Sequence, residues 1–312
     1  MAELLVTGSP APGSVAGPAP AGAGCAGGAV ARHGGSAPVR AWLRFFRSEL
    51  RLVFGRRRNQ ALLAVVAVFP LIIGIGLRLS EQPGNTGGPS VAFISQLAGN
   101  GVFLSFIALT LLLILVMPLA VAVVAGDSIA GEAGYGTLRY LLAVPAGRVR
   151  LLTVKYAAIV VFALAVTFLV AAVALATGAV LFPLGAVTLL SGTTVPLADA
   201  MLRLLFVTLY VAAAMASLGA IGLAVSTLTE HAIGAIAALA IVVVTSEVAD
   251  NVPQFAAIHP YLPTHWWTSF DSLLRVPVDT GTLLRGLLSF AVYLLLSGSF
   301  AWARFTSADV TS

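Results

Sequence analysis

The sequence predicts an all-α polytopic membrane protein with six transmembrane helices, and three observations carry this prediction. Of its 312 residues, 59% are hydrophobic and only 9% are charged, whereas a soluble domain carries roughly 25% charged residues. Disorder is excluded for the chain as a whole, because disordered chains combine low hydrophobicity with high charge. Six separate segments are apolar over the roughly 20 residues that a helix needs to cross a bilayer.

The first 38 residues differ from the rest and are mostly Ala, Gly, Pro and Ser. With so few large apolar side chains they cannot form a core, so we expect residues 1–38 to be a disordered tail. Cys25 is the only cysteine, which excludes an intrachain disulfide. The apolar segment that precedes a lipoprotein cleavage site is missing before Cys25, so we do not expect lipidation.

Residues 39–58 predict an amphipathic helix. At 100° per residue, the aromatic and aliphatic side chains fall on one face and a row of arginines on the other, namely Arg40, Arg44, Arg47 and Arg51. This pattern is typical of a helix that lies in the membrane interface. Glu49 falls on the apolar face, so it either reaches out to water or pairs with an arginine elsewhere, because a buried charge needs a partner.

Six apolar segments predict the transmembrane spans, and we place them at residues 60–79, 101–125, 156–182, 203–227, 232–250 and 284–303. Pro118 is expected to kink the second span, because proline cannot donate the backbone hydrogen bond of a helix.

The basic residues predict the orientation of these spans. If the N-terminus lies in the cytoplasm, all but four of the 17 basic residues face the cytoplasm, and the exceptions are Arg78, Arg203, Arg275 and Arg285. Cytoplasmic loops carry an excess of Lys and Arg. Both termini are therefore predicted to be cytoplasmic.

Residues 251–283 contain four prolines and several aromatic residues, which predicts short interfacial or re-entrant helices on the outer side. Just before them, Glu247 and Asp250 stand at the outer end of the fifth span. With Trp266 and Trp267 they are candidates for an outer substrate path. The alternative is that the two acids mark the water boundary.

Motifs for enzymatic chemistry are missing from the sequence. A phosphate-binding P-loop ends in Gly-Lys-Ser/Thr, but the only lysine, Lys155, follows Val154. His259 and His265 share a loop with Asp271, without the usual spacing of metal ligands. We therefore expect no enzyme activity, metal or cofactor in this chain. Nucleic acid is not expected as a partner either, because the basic residues are arranged for a membrane.

The loop 126–155 is the most informative segment. Glycines are expected to end the second span there, because glycine weakens a helix; they are Gly126, Gly131, Gly134 and Gly136. Thr137 can cap a short helix over 138–143, and Pro145 ends it. Such a helix, held at the inner membrane surface, is well shaped for a groove on a cytoplasmic partner.

This loop closely resembles that of the permeases of ABC-2 type transporters. The residues that carry the resemblance are Asp127, Glu132, Gly136, Thr137, Leu138, Arg139, Leu141, Leu142, Pro145, Arg148, Leu152 and Lys155. The helix 39–58 is similar to the elbow helix of that family, and the segment 251–283 to its re-entrant element. The resemblance therefore covers a six-span domain over residues 39–312.

The resemblance implies a permease subunit of a bacterial plasma (inner) membrane exporter. Two such subunits, identical or related, would pair with two separate ATPase chains, which bind ATP and Mg²⁺. Residues 132–145 would form the coupling helix. The implied coupling residues are Asp127, Glu132, Thr137, Leu138, Arg139, Pro145 and Arg148, with Arg44 and Glu49 of the elbow helix as partners.

The substrate is expected to be amphipathic, drug-like or lipid-like, because the spans are mostly apolar, and membrane lipid surrounds the chain. Three alternatives remain open at this point. They are a secondary transporter, an intramembrane enzyme, and a permease-like subunit for maturation or signalling.

Overall fold

The computed structural model describes residues 37–80, 100–134 and 148–307. These residues are almost entirely helical, and their eight α-helices are α1 (Ala37–Gly55), α2 (Arg57–Ser80), α3 (Phe103–Ile114), α4 (Val116–Gly134), α5 (Arg148–Leu181), α6 (Leu197–Ser226), α7 (Ala232–Asp250) and α8 (Thr280–Ser307). Six of them, all but α1 and α3, are long and apolar enough to cross a membrane. The predicted all-α fold with six candidate spans is confirmed.

The second predicted span is two helices rather than one, and its predicted boundary at residue 125 is wrong. The chain breaks at Leu115, whose φ and ψ of −145° and −46° are not helical. Pro118 explains why the break falls here. It has no backbone N–H to donate, and its ring disfavours a helical turn directly before it. Helix α4 then continues to Gly134.

Gly126 lies inside α4 because the helix packs closely against α7 there. A Cβ atom at Gly126 would lie 2.8 Å from Ile236 Cγ1 and 3.0 Å from its backbone nitrogen. The glycine therefore permits a close helix crossing instead of ending the helix. Helix α5 begins at Arg148, and residues 135–147 lie outside the described part of the chain.

The core of the bundle is formed by α4 and α6. Helix α6 packs against α4, α5 and α8, while α4 also packs against α7, and α5 against α2 and α3. About two thirds of the most apolar part of α4 and α6 is buried, against 11% for α8. The exposed large apolar residues of α2, α7 and α8 are the surface expected of a protein that lipid or another apolar chain surrounds.

At one end of the bundle, which we call the hairpin end, irregular structure joins the helices. A short antiparallel hairpin pairs Val187–Thr188 with Thr194–Val195, and its turn uses Gly192 at φ +77°, a conformation that favours glycine. Three 3₁₀ helices follow α7, at Pro253–Phe255, His259–Tyr261 and Trp267–Leu274. The predicted short helices in 251–283 are thus present.

Helix α8 begins at Thr280, four residues before the predicted start of the last span. Asp279 explains the early start, because its carboxylate accepts hydrogen bonds from the backbone N–H and the hydroxyl of Thr282. This is the usual bonding of a helix N-cap. The same bonds lower the pKa of Asp279 below its ordinary value.

Helix α1 has the predicted amphipathic pattern and ends at Gly55, three residues earlier than predicted. Trp42 and Phe46 stack on its apolar face with ring centroids 5.2 Å apart. Its last carbonyls are satisfied by two amide side chains of α2: Asn59 Nδ2 donates to the carbonyl of Val53, and Gln60 Nε2 to that of Phe54. Because these groups would otherwise be orphaned at the helix end, the bonds fix the direction in which α1 leaves α2.

Candidate functional site

Charged side chains gather at the end of the bundle opposite the hairpin, which we call the cluster end. Here the α1–α2 junction meets the last turns of α4 and the first turns of α5. Three acidic and three basic side chains form this charged cluster, namely Glu49, Arg56, Arg58, Asp127, Glu132 and Lys155. Their formal charges balance, and the acids and Lys155 lie toward the interior while Arg56 and Arg58 are exposed.

Lys155 is the centre of one half of the cluster. It is only 3% exposed, and its Nζ atom lies 2.6 Å from Glu132 Oε1 and 3.6 Å from Glu49 Oε1. One side chain of α5 thereby joins α4 and α1. The predicted alternatives for Glu49 are resolved in favour of a buried ion pair, but the partner is Lys155 rather than an arginine.

The environment of Glu49 has opposing effects on its ionisation. Burial raises the pKa of Glu49 above the ordinary value, while Lys155 opposes this shift and Glu132 adds to it. The net direction is upward, because burial penalises the charged form more than one shared cation can offset.

Asp127 is the centre of the other half of the cluster. It is 7% exposed, and it accepts a hydrogen bond from Arg56 and pairs with Arg58 Nη2 at 3.0 Å. A Cβ atom at Gly131 would lie 2.6 Å from Asp127 Oδ1, so the glycine leaves room for this carboxylate. The α1–α2 junction is in this way bound to α4.

A small cavity of about 30 Å³ lies among these side chains and is lined by members of both halves of the cluster. A water molecule needs roughly 10–15 Å³ of such volume, so the cavity is large enough for water but too small for an organic substrate. The cluster therefore joins helices and cannot enclose a large ligand.

Ser226 binds the α4 backbone beside the cluster. Its hydroxyl donates to the carbonyl of Gly126 at 2.8 Å, and it accepts the N–H groups of Ile129 at 3.1 Å and Ala130 at 2.9 Å. These bonds connect the end of α6 to the backbone of α4 beside Asp127.

The sequence-predicted coupling residues fall into three groups. Asp127 and Glu132 belong to the charged cluster. Arg148 begins α5. The remaining four lie outside the described residues, namely Thr137, Leu138, Arg139 and Pro145.

Of the elbow-helix residues, Glu49 reaches the cluster, whereas Arg44 is exposed and takes no part in the cluster's ion pairs among the described residues. Sequence analysis missed Arg56, Arg58 and the central role of Lys155. One feature of the sequence could have indicated Lys155: it is the only lysine, and the other 16 of the 17 Lys and Arg residues are arginines.

At the hairpin end, the candidates for an outer path take different positions. Asp250 Oδ1 lies 2.6 Å from His265 Nδ1 and 3.9 Å from His259 Nδ1. The indole of Trp266 donates to the carbonyl of Pro260.

Trp267 is 1% exposed and belongs to the apolar core, while Glu247 is half-buried near the end of α7. The two histidines thus associate with Asp250 rather than with Asp271. No group of three His, Cys, Asp or Glu residues within 37–80, 100–134 and 148–307 could hold a metal ion.

The bundle and the ion pairs at its end define a multi-pass membrane protein whose helices are joined at one end by buried charges. The family model described as "ABC-2 family transporter protein" matches residues 53–304. The chain therefore belongs to the ABC-2 transporter family and is a transmembrane subunit of an ABC transporter. Membership implies a partnership with an ABC ATPase. No curated protein matches the chain.

Proposed function

We propose that this chain is the permease subunit of an ATP-driven exporter that moves an amphipathic, drug-like or lipid-like substrate out of the cytoplasm. Separate ATPase subunits bind ATP and Mg²⁺ and hydrolyse the ATP, and this chain binds neither. A second permease subunit, identical or related, completes the path. The chain lies in the inner membrane of a bacterium with both termini in the cytoplasm, as the distribution of basic residues favours.

The observation that carries the proposal is the position of the Glu132–Lys155 ion pair. Glu132 lies two residues before the end of α4, and Lys155 lies in the second turn of α5. The pair therefore joins the two helices that flank residues 135–147, which include most of the coupling helix 132–145 implied by the resemblance. A force applied to this segment reaches α4 and α5 together, and reaches α1 through Glu49.

The transmission step follows from this arrangement. Closure of the ATPase subunits displaces the segment 135–147, and the charged cluster makes α1, α4 and α5 move as one body. Closely packed helices change between discrete arrangements rather than deform continuously. The rigid-body movement then opens a path between the two permease subunits.

The test is co-expression of the chain with candidate ABC ATPases, purification in mild detergent and measurement of ATP hydrolysis. Glu132→Gln and Arg139→Glu are the test variants. Glu230→Gln is the matched control, because Glu230 is an exposed acid between α6 and α7 at the same end of the bundle. We expect the wild type and the control to co-purify with an ATPase and to stimulate its ATP hydrolysis. In the test variants the stimulation should be about tenfold weaker, which is the effect of losing one charged contact.

Two outcomes would contradict the proposal. In one, no ATPase co-purifies with the wild-type chain; in the other, both test variants behave like the control. Either result would favour a permease-like subunit for maturation or signalling over an exporter. The export direction is tested separately in inside-out vesicles, where we expect ATP-dependent accumulation of an amphipathic dye. If the dye does not accumulate, and loaded vesicles instead lose it when ATP is added, the transporter is an importer.

A further inference from the structure

A large cavity lies at the hairpin end, between α2, α3, the hairpin and the last 3₁₀ helix. Its volume is about 550 Å³, within the roughly 300–1,000 Å³ of small-molecule sites. Most of its wall is aliphatic or aromatic, and it includes Ile73, Phe103, Phe106, Ile107, Leu190 and Phe270. Water is a poor occupant of such a cavity, since its walls offer few hydrogen bonds.

The cavity, which we call the hairpin-end pocket, has exposed lining residues of two kinds. Leu111 lines it and is 49% exposed, and this residue lies near the end of α3 that points toward the middle of the bundle. Among the described residues of the lining, Asp271 is the only charged one, and its side chain is 46% exposed. One exposed part of the lining is therefore apolar, while the other is charged and lies at the end of the bundle.

The surface at Asp271 carries charges of both signs. Arg275 Nη2 lies 3.3 Å from Asp271 Oδ2, and the Arg275 side chain is 59% exposed. Both side chains thus retain hydrogen-bonding capacity toward a ligand. A simple cation would compete with Arg275 for Asp271, and a simple anion would compete with Asp271 for Arg275. A ligand with an ammonium group beside a phosphate satisfies both without leaving a charge unpaired.

We propose that the hairpin-end pocket binds a zwitterionic phospholipid of the phosphatidylethanolamine type. One acyl chain lies between the aromatic residues of α3 and Phe270 and leaves toward Leu111. The ammonium group donates to Asp271, and the phosphate accepts from Arg275. The site goes beyond the proposed export function and does not depend on it, since it needs neither an ATPase nor a direction of transport.

The test uses the purified full chain in vesicles of phosphatidylglycerol. One set of vesicles contains a trace of phosphatidylethanolamine with a photoreactive diazirine in its acyl chain. A second set contains a trace of phosphatidylglycerol with the same diazirine instead. Labelled peptides are mapped by mass spectrometry without ATP or ATPase. We expect labelling by the ethanolamine lipid to concentrate on the peptides of α3 and of Trp267–Leu274, about tenfold above the labelling of α8, as one charge-assisted hydrogen bond would give.

Two variants separate the tail contact from the headgroup contact. Ile107→Trp fills the pocket and should abolish its labelling, whereas Leu288→Trp, on the exposed face of α8, is the matched control and should leave it unchanged. The double variant Asp271→Asn/Arg275→Gln lies at the surface, so it tests the site even if Ile107→Trp fails to fold. It should remove the preference for ethanolamine over glycerol lipid while retaining some tail labelling.

Three results would overturn the proposal. The first is labelling of α8 equal to that of the pocket, which would indicate only annular lipid. The second is equal labelling by the two lipids in the wild type. The third is unchanged lipid labelling in Ile107→Trp with a changed oligomeric mass, which would make the pocket a contact between chains. None of these results bears on ATPase coupling, so failure here is distinguishable from failure of the proposed function.

Discussion

Lys155 Nζ lies 2.6 Å from Glu132 Oε1, and this contact connects the helices on either side of residues 135–147. Both side chains come from helices that are candidate spans, so each can carry a displacement from the end of the bundle into the membrane. Coupling between distant sites needs an element with two arrangements that both sites influence. In the proposed function, the ion pair supplies the rigid connection between α4 and α5.

Removal of the lysine should destabilise the protein strongly. Lys155→Met leaves Glu49 and Glu132 buried near each other without their cation, and breaking a buried pair in this way costs roughly 3–5 kcal/mol. Thermal unfolding of the purified chain in detergent, followed by circular dichroism, measures the loss. The triple variant Lys155→Met/Glu49→Gln/Glu132→Gln removes the uncompensated charges and should recover most of it. No recovery would show that Lys155 acts through packing rather than charge.

Glu49 should make the stability of the protein depend on pH. Its pKa in the folded chain is raised above the usual 4.5 by burial, so between the two pKa values the folded state binds more protons than the unfolded state. The contribution of Glu49 is then fully present below pH 4.5 and is lost as pH rises through the folded-state pKa.

Thermal midpoints of the wild type and Glu49→Gln, measured from about pH 4 to about pH 7, test this prediction. The midpoint of the wild type should fall relative to the variant as pH rises. Only the difference in slope is decisive, because the variant also loses its charge contact with Lys155. Parallel curves would show that the folded chain does not raise this pKa.

The hydroxyl of Ser226 should matter more than that of a neighbouring serine. Ser226→Ala removes three hydrogen bonds to the backbone of α4, and a typical buried hydrogen bond contributes roughly 0.5–1.5 kcal/mol. Ser217→Ala is the matched control, because Ser217 is equally buried on α6 but donates only to the carbonyl of Ala214 in its own helix. Chemical unfolding of both variants should show a clear loss for Ser226→Ala alone, and equal losses would remove the special role of this contact.

The sequence was sufficient for the features that depend on local composition and insufficient for those that depend on tertiary contacts. Apolar length located five of the six spans and misplaced the second, and prolines with aromatics located the short helices of 251–283. The helical course of α4 past Gly126 was missed, because the cost of a glycine, about 1 kcal/mol, is offset by contacts with α7 that no local pattern reveals. The partner of Glu49 was missed for the same reason, since Lys155 is distant in sequence.

Close helix packing at Gly222 should make that glycine irreplaceable. A Cβ atom there would lie 2.7 Å from Ala125 Cβ and 2.7 Å from Leu239 Cδ2, so Gly222→Ala forces α4 or α7 away from α6 and should cost roughly 1–3 kcal/mol. Gly76→Ala is the control, because a Cβ there meets nothing within 4 Å and alanine favours the helix by up to about 1 kcal/mol. Thermal unfolding should therefore place the midpoints of the two variants on opposite sides of the wild type. If Gly222→Ala were as stable as the wild type, the contacts of α6 with α4 and α7 at this position would not be close enough to exclude a methyl group.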